Sequence, residues 1–465
     1  QREGSGRYAI HTLLRQYAVG RVSECLPRGE NPHESFSRYY LTFASRREAH
    51  LRGPRQPEAL EELVAELENL RAALIWAAEN RRDDLLAPAL EALLSFFDLR
   101  GSYTEADHLL ARLAGWGSQA FVGWVLAWRG WVSDRLARFE QGGQFSAQSL
   151  QIFEQLGDVM GQANALGNLG MNAIARGALD EALAHLQRGL ALAQDAGDES
   201  CQARCLNLIG VIHKQRGDFA RARDLLSQSL GIFRALGDPQ RIAALDNNLG
   251  GVLRSLGDFD AARACYEENL SIRRRLGDPR GEALALVNLA NLLAQMEQFD
   301  AARQAYEQSL EISARRDDPV GKALCLHNLG DLARNRREYV LALRHYQESL
   351  ALRRRARDRT GTAYSLVGLG HACAALGDGW QARAYFREAA ELALELKLTP
   401  VTLDALGGMA VLFSVSGEEE KAAALAGFVL AHPAAEGQTR RLLADWQPQA
   451  GDRDMQSALD LAFGD

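Results

Sequence analysis

The chain has 465 residues, more than one compact core holds, so several domains or a repeat array is expected. Hydrophobic residues make up 47% and charged residues 24%, as in folded soluble proteins, and with only 11 prolines the Ala- and Leu-rich composition favours helix. The net charge of -7 argues against a general binder of nucleic acid or membrane surface, and no apolar run reaches the ~18 residues of a membrane span.

In chain order, the first patterned stretch is Arg7-Tyr8-Ala9-Ile10-His11-Thr12-Leu13-Leu14-Arg15-Gln16-Tyr17-Ala18. Arg38-Tyr39-Tyr40-Leu41 and Leu51-Arg52-Gly53-Pro54 follow, then Glu66-Leu67-Glu68-Asn69-Leu70-Arg71-Ala72-Ala73-Leu74-Ile75-Trp76-Ala77. Next comes a tryptophan cluster, Trp116, Trp124, Trp128 and Trp131, whose last three members share one helical face. That face either packs a core or forms an apolar docking surface.

From about residue 123 the chain repeats itself with a period of 40. Gly157-Asp158, Gly197-Asp198, Gly237-Asp238 and Gly277-Asp278 mark the period, and Asp317-Asp318 and Arg357-Asp358 continue it in weakened form. Gly170, Gly210, Gly250, Ala290, Gly330, Gly370 and Ala410 form a small-residue series in a first helix. Ala182, Ala222, Ala262, Ala302, Ala342, Ala382 and Ala422 form another in a second helix, so the two backbones approach closely. Leu186, Leu226, Tyr266, Tyr306, Tyr346 and Phe386, followed four residues later by leucines such as Leu310 and Leu350, give the second helix one apolar stripe. Gly suits the left-handed residue that ends a helix, and Asp suits the N-cap of the next. Pro239, Pro279 and Pro319 fall at the first helical position, where a missing N–H costs nothing.

Six clear units span 156–395, with degenerate units at 123–155 and 396–432 and a capping segment at 435–465. A single hairpin cannot bury its stripe, so neighbours must stack into a solenoid.

The order of small residue, Ala and aromatic residue within helical hairpins resembles the tetratricopeptide repeat, lengthened from its basic period. The resemblance implies an all-α, right-handed superhelix with the first helix of each hairpin on the concave side. The N-terminal segments quoted above resemble, in order and spacing, those of bacterial signal-transduction ATPases with numerous domains. There, residues like 7–18 close a winged-helix module, and a helix like 66–77 links the ATPase core to a tetratricopeptide sensor.

The resemblance implies four regions: the end of that module with its linker at 1–55, a helical arm at 56–122, the superhelix at 123–432, and a cap at 433–465. It also implies that the resting-state partner is the nucleotide-binding core of a longer parent, and the start at Gln1 rather than Met fits such a segment; with neither a signal peptide nor a membrane-length apolar run in the sequence, a cytoplasmic location is expected. The chain departs from that family by lacking Gly-x4-Gly-Lys-Ser/Thr, so it is not expected to hydrolyse ATP.

Candidate ligand residues sit on the first helices. Asn168, Asn248, Asn288 and Asn328 recur two residues before the small position, with Asn207, Asn247 and His327 one residue earlier. Asn is a mediocre helix former, so its recurrence needs a reason. An amide ladder offers donors and acceptors to an extended peptide backbone, or it ties adjacent repeats together. Lys214, Arg254, Asn291, Asp331, Arg334 and His371 lie further along these helices, and Arg204 near one helix start. Arg254 and Arg334 either hold a carboxylate or phosphate, or are solvated or paired with Asp246 and Asp331. The arginine runs 273–275 and 353–355 complement helix C-termini.

Cys201 and Cys205 are one turn apart, but no second pair completes a metal site, so they read as buried thiols. No catalytic set emerges, and no cofactor is expected. The expected function is a non-enzymatic ligand sensor that takes a protein or peptide in a concave groove. A constitutive adaptor and a small-molecule sensor are the alternatives.

Overall fold

The computed structural model describes residues 31–53, 55–435, 437–444, 446 and 454–464. The stretch 7–18 and Pro54 lie outside them. The described residues are helical and turn structure without strands, and no helix among them is long and apolar enough to cross a membrane. Two compact units result, one ending at Gly277 and the other beginning at Asp278.

The first unit opens with α1 (Pro32–Ser45), α2 (Glu48–Arg52), α3 (Gln56–Ala65), α4 (Leu67–Glu79), α5 (Asp83–Arg100) and α6 (Tyr103–Leu113). The 66–77 motif is α4. Its Leu70, Ala73, Leu74 and Ala77 are buried, Asn69 Nδ2 donates to Tyr40 Oη at 3.0 Å, and Arg71 reaches Glu105 at 2.6 Å. Four hairpins follow: α7/α8 (Gln119–Arg135, Phe139–Leu156), α9/α10 (Val159–Ala175, Leu179–Asp195), α11/α12 (Glu199–Gln215, Phe219–Leu236) and α13/α14 (Pro239–Leu256, Phe259–Arg275). The clustered tryptophans are partly buried, and Trp128 and Trp131 pack against the core of the first unit. Trp131 meets Tyr103 edge-on at 5.9 Å and Trp128 at 5.6 Å, and Trp124 and Trp128 also line a cleft of about 280 Å³ with Leu90 and Phe121.

The second unit holds α15/α16 (Pro279–Gln295, Phe299–Arg315), α17/α18 (Pro319–Asn335, Tyr339–Arg355), α19/α20 (Arg359–Ala375, Gly379–Glu395) and α21/α22 (Thr399–Val415, Glu419–Ala431). Short helices α23 (Gly437–Leu442) and α24 (Met455–Phe463) pack against α21 and α22.

The sequence grammar works as physics at each junction. Asp158, Asp198, Asp238, Asp278, Asp318 and Asp358 each accept a hydrogen bond from the backbone N–H three residues on, satisfying a helix-start donor. Gly157, Gly197, Gly237 and Gly277 carry φ of +60° to +69°. Where the series weakens, Asp317 and Arg357 adopt the same left-handed geometry at +52° and +56°, each at a cost of roughly 1 kcal/mol. The turn is therefore imposed by hairpin packing even where its preferred residue is absent.

Small and large series interlock. A Cβ at Gly330 would come within 2.6 Å of the Tyr346 ring, and so would one at Gly368 of the next hairpin. Phe386 sits in the same way between Gly370 and Gly408. Each of these two rings thus fills the gap left by two glycines and joins one hairpin to the next. Serines at four positions of one repeat column, which Gly189 and Asn269 interrupt, add polar ties: the hydroxyls of Ser149, Ser229, Ser309 and Ser349 donate to the carbonyls of Gly123, Ala203, Ala283 and Ala323. Within each unit the first helices of successive hairpins pack on one another: α7, α9, α11 and α13 in the first, and α15, α17, α19 and α21 in the second. They form each unit's inner face.

Candidate functional site

The inner faces of the two units differ in chemistry. In the first unit, α9 contributes Asn168, which is 5% exposed and donates from Nδ2 to the Ala127 carbonyl at 3.0 Å. Its amide ties two hairpins together and is not offered to a groove. The half-buried Asn207 and Asn248 pair across α11 and α13, Asn248 Nδ2 donating to Asn207 Oδ1 at 3.1 Å. Asn247 is half-buried beside them.

Three cations accompany this pair. Arg204 Nη2 lies 2.8 Å from where a Gly167 Cβ would stand, and Lys214 Nζ lies 3.0 Å from where a Gly251 Cβ would stand. Arg254 follows Gly251 by one turn. Among the described residues, none of the three has a carboxylate at ion-pair distance. Burial, and then the charge of Arg254, push Lys214 below the ordinary lysine value. The anticipated pairing of Arg254 with Asp246 does not form. Asp246 is fully buried, and its nearest cation is Arg234 at 4.0 Å.

In the second unit, Asn288 and Asn328 are half-buried, and Asn291 Oδ1 accepts the Tyr306 hydroxyl at 2.6 Å. Four anticipated residues converge further along. His327, Asp331 and Arg334 from α17 and His371 from α19 line a cavity of about 180 Å³, together with Tyr364, Asp404 and Thr439.

Its polar groups are closely coupled. Asp331 accepts the Tyr346 hydroxyl at 2.6 Å and lies 3.6 Å from both Arg334 and His327. His371 Nε2 is 3.3 Å from Asp404 Oδ1, which also accepts the Thr439 hydroxyl at 3.1 Å. Burial pushes His327 below the usual histidine value, so near neutral pH it is an uncharged imidazole. Burial alone would raise Asp404, but His371, Arg334 and the Thr439 hydroxyl outweigh it and hold the carboxyl below its ordinary value. Two buried nitrogens of residues that line this cavity, His327 Nδ1 and Arg334 Nε, have no hydrogen-bond partner. Such groups are costly to leave unpaired.

Asp404, Tyr364 and Thr439 were not anticipated, although a signal existed for two of them. Positions 204, 244, 284, 324, 364 and 404 are one repeat column, reading Arg, Ala, Leu, Leu, Tyr, Asp. The departures from small or aliphatic residues in that column mark the inner face. Thr439 lies outside the repeat and has no such mark. Among the described residues, no group of three His, Cys, Asp or Glu side chains is placed to hold a metal ion.

A sequence model of the tetratricopeptide repeat matches residues 161–235, 241–315 and 322–395. A sequence search of curated proteins gives no match. Among solved structures, the chain is similar to a Rap protein complexed with competence and sporulation factor (TM-score 0.52, 14% identity, 79% of this chain and 99% of that one). The apo form of the quorum sensor NprR from B. thuringiensis is similar to the same degree (TM-score 0.52, 14% identity, 76% and 97%). A signal-transduction ATPase with numerous domains from Pyrococcus horikoshii, which carries a tetratricopeptide repeat sensor, gives a TM-score of 0.53 at 12% identity, covering 91% of this chain and 65% of that one. At such identities these likenesses carry the fold alone. Together with the interlocking hairpins they give the chain the fold of an α-solenoid, in which residues 161–235, 241–315 and 322–395 are tetratricopeptide repeats, a repeat that serves as a protein-interaction scaffold.

Proposed function

We propose that this chain is the ligand-sensing, protein-interaction part of a signal-transduction ATPase, taking a protein or peptide on its inner faces. The observation that carries the reading is the cavity of the second unit, where His327 Nδ1 and Arg334 Nε stand buried and unpartnered beside Asp331, His371 and Asp404. At about 180 Å³ it is smaller than the usual small-molecule pocket of roughly 300–1,000 Å³ and suits one residue of a larger ligand. This favours a peptide or protein over a metabolite. The Rap and NprR structures share the fold, and the first of them is complexed with competence and sporulation factor.

In this reading residues 1–55 end the preceding module, 56–122 form the arm, 123–432 sense, and 433–465 cap the array. The parent's nucleotide-binding core is the resting-state partner, the protein works in the cytoplasm without touching nucleic acid or membrane, and the chain itself catalyses nothing. Ligand binding shifts the parent between resting and active forms only if the two bind it unequally.

Peptide-library selection on the full chain tests the reading. Enriched peptides are expected to bind the wild type and to lose about tenfold in affinity, near 1.4 kcal/mol, on Arg334→Met. Helix content and thermal midpoint of the variant control for misfolding. Failure to enrich any peptide, or equal affinity for a folded Arg334→Met variant, contradicts it. The sensor role is tested separately by the reading frame upstream of Gln1: a fused nucleotide-binding core supports it, and a start codon directly before Gln1 favours the constitutive adaptor.

A further inference from the structure

The first unit holds an amine whose surroundings differ from those of every other lysine in the chain. Lysine occurs four times, at 214, 322, 397 and 421. Lys421 pairs with Glu418 at 2.7 Å, and Lys322 lies 3.8 Å from Asp317. Lys397 is exposed, with no partner among the described residues. Lys214 is half-buried on α11 with no carboxylate beside it.

Its Nζ rests against the α13 backbone at Gly251, where a side chain would crowd it at 3.0 Å. The Tyr266 hydroxyl lies 3.8 Å from the same point, and Arg254 stands one turn on. Burial and the neighbouring guanidinium both disfavour the ammonium form. A guanidinium without a carboxylate partner, one turn along from the backbone against which a half-buried amine rests, is an arrangement that receives an anionic electrophile.

We propose that Lys214 is a modification site for small acyl phosphates, with Arg254 holding the phosphoryl group while the amine is acylated. The lone pair of the neutral ε-amine attacks the acyl carbon. The carbon–oxygen bond to phosphate breaks, phosphate leaves with that electron pair, and the nitrogen gives its extra proton to water. The products are an amide at Lys214 and inorganic phosphate, and no oxidant or further reactant is needed. Acylation removes one of the three unpaired cations from this inner face, leaving Arg204 and Arg254. It thereby weakens the attraction of the face for an anionic ligand.

The test incubates the full chain with acetyl phosphate and follows initial acetylation at the four lysines by peptide mass spectrometry. Lys214 is expected to react at least about fivefold faster than Lys397. Arg254→Gln is expected to cut the Lys214 rate about threefold or more and leave Lys397 unchanged. With uncharged acetic anhydride the same substitution is expected to have a smaller effect, because no phosphoryl group needs holding. A Lys214 rate no higher than that of Lys397 overturns the proposal. So does an equal loss with both reagents, which would remove phosphoryl recruitment by Arg254.

Discussion

Tyr346→Ala is expected to destabilise the second unit by about 3–5 kcal/mol, the usual range for emptying a large aromatic site in a packed core. Tyr346 is fully buried, and its ring fills the space that Gly330 on α17 and Gly368 on α19 leave open. Neither glycine has a side chain that can relax into the void, so collapse is limited and the cavity term stays large. Removing the phenol also strips Asp331 of a 2.6 Å hydrogen bond. Tyr346→Phe separates the two effects: it keeps the ring and loses only the hydroxyl, for about 1 kcal/mol. Urea denaturation followed by circular dichroism reads both. A cost below about 1 kcal/mol for Tyr346→Ala would show that the ring does not join hairpins as described.

The second large effect depends on pH. Asp246 is fully buried on α13, and neither of its carboxylate oxygens has a hydrogen-bond partner. Arg234 reaches only to 4.0 Å because it is held by Glu268 at 2.5 Å. Burial, and then the like charge of Glu268, raise the Asp246 carboxyl to about 7 from its ordinary 3.8, with Arg234 opposing. A carboxyl raised on folding is protonated more readily in the native state than in the unfolded chain. Its contribution to stability is therefore complete below the ordinary value of 3.8 and is lost as pH climbs through about 7.

Asp246→Asn keeps the shape and cannot ionise. The variant and wild type should be alike near pH 4, whereas at pH 8 the variant should be more stable by roughly 2–4 kcal/mol. The other groups facing the site, Arg234, Glu268 and Cys265, are common to both proteins, so the difference between the two pH profiles isolates Asp246. A difference that does not change with pH, or a wild type more stable than the variant at pH 8, would contradict this account.

The repeat period, the Asp N-caps and the small-against-large columns were legible in the sequence because each is a local rule repeated. The turn at Arg357 was legible only as a weakened echo, since arginine there adopts its left-handed geometry under pressure from the packing around it. Ser149, Ser229, Ser309 and Ser349 share one column with Gly189 and Asn269, and a serine on a helix face looks solvated until its carbonyl partner on another helix is known.

Of the Asn ladder, Asn168 turned out to bind backbone across hairpins, and Asn207 and Asn248 to bind each other. Sequence gives the column but not which neighbour a side chain meets. The cavity of the second unit was half legible. His327, Asp331, Arg334 and His371 were identifiable as polar residues in inner columns, whereas Asp404 sits in a degenerate hairpin and Thr439 beyond the repeat.

The central claim is that a peptide or protein ligand is read by the inner face of the second unit. Hydrogen exchange of the full chain, with and without a selected peptide, tests it most directly. Slowed exchange is expected in α17, α19 and α21, with the second helices α18 and α20 unchanged. Slowing confined to those second helices, or to α1–α6, would contradict it.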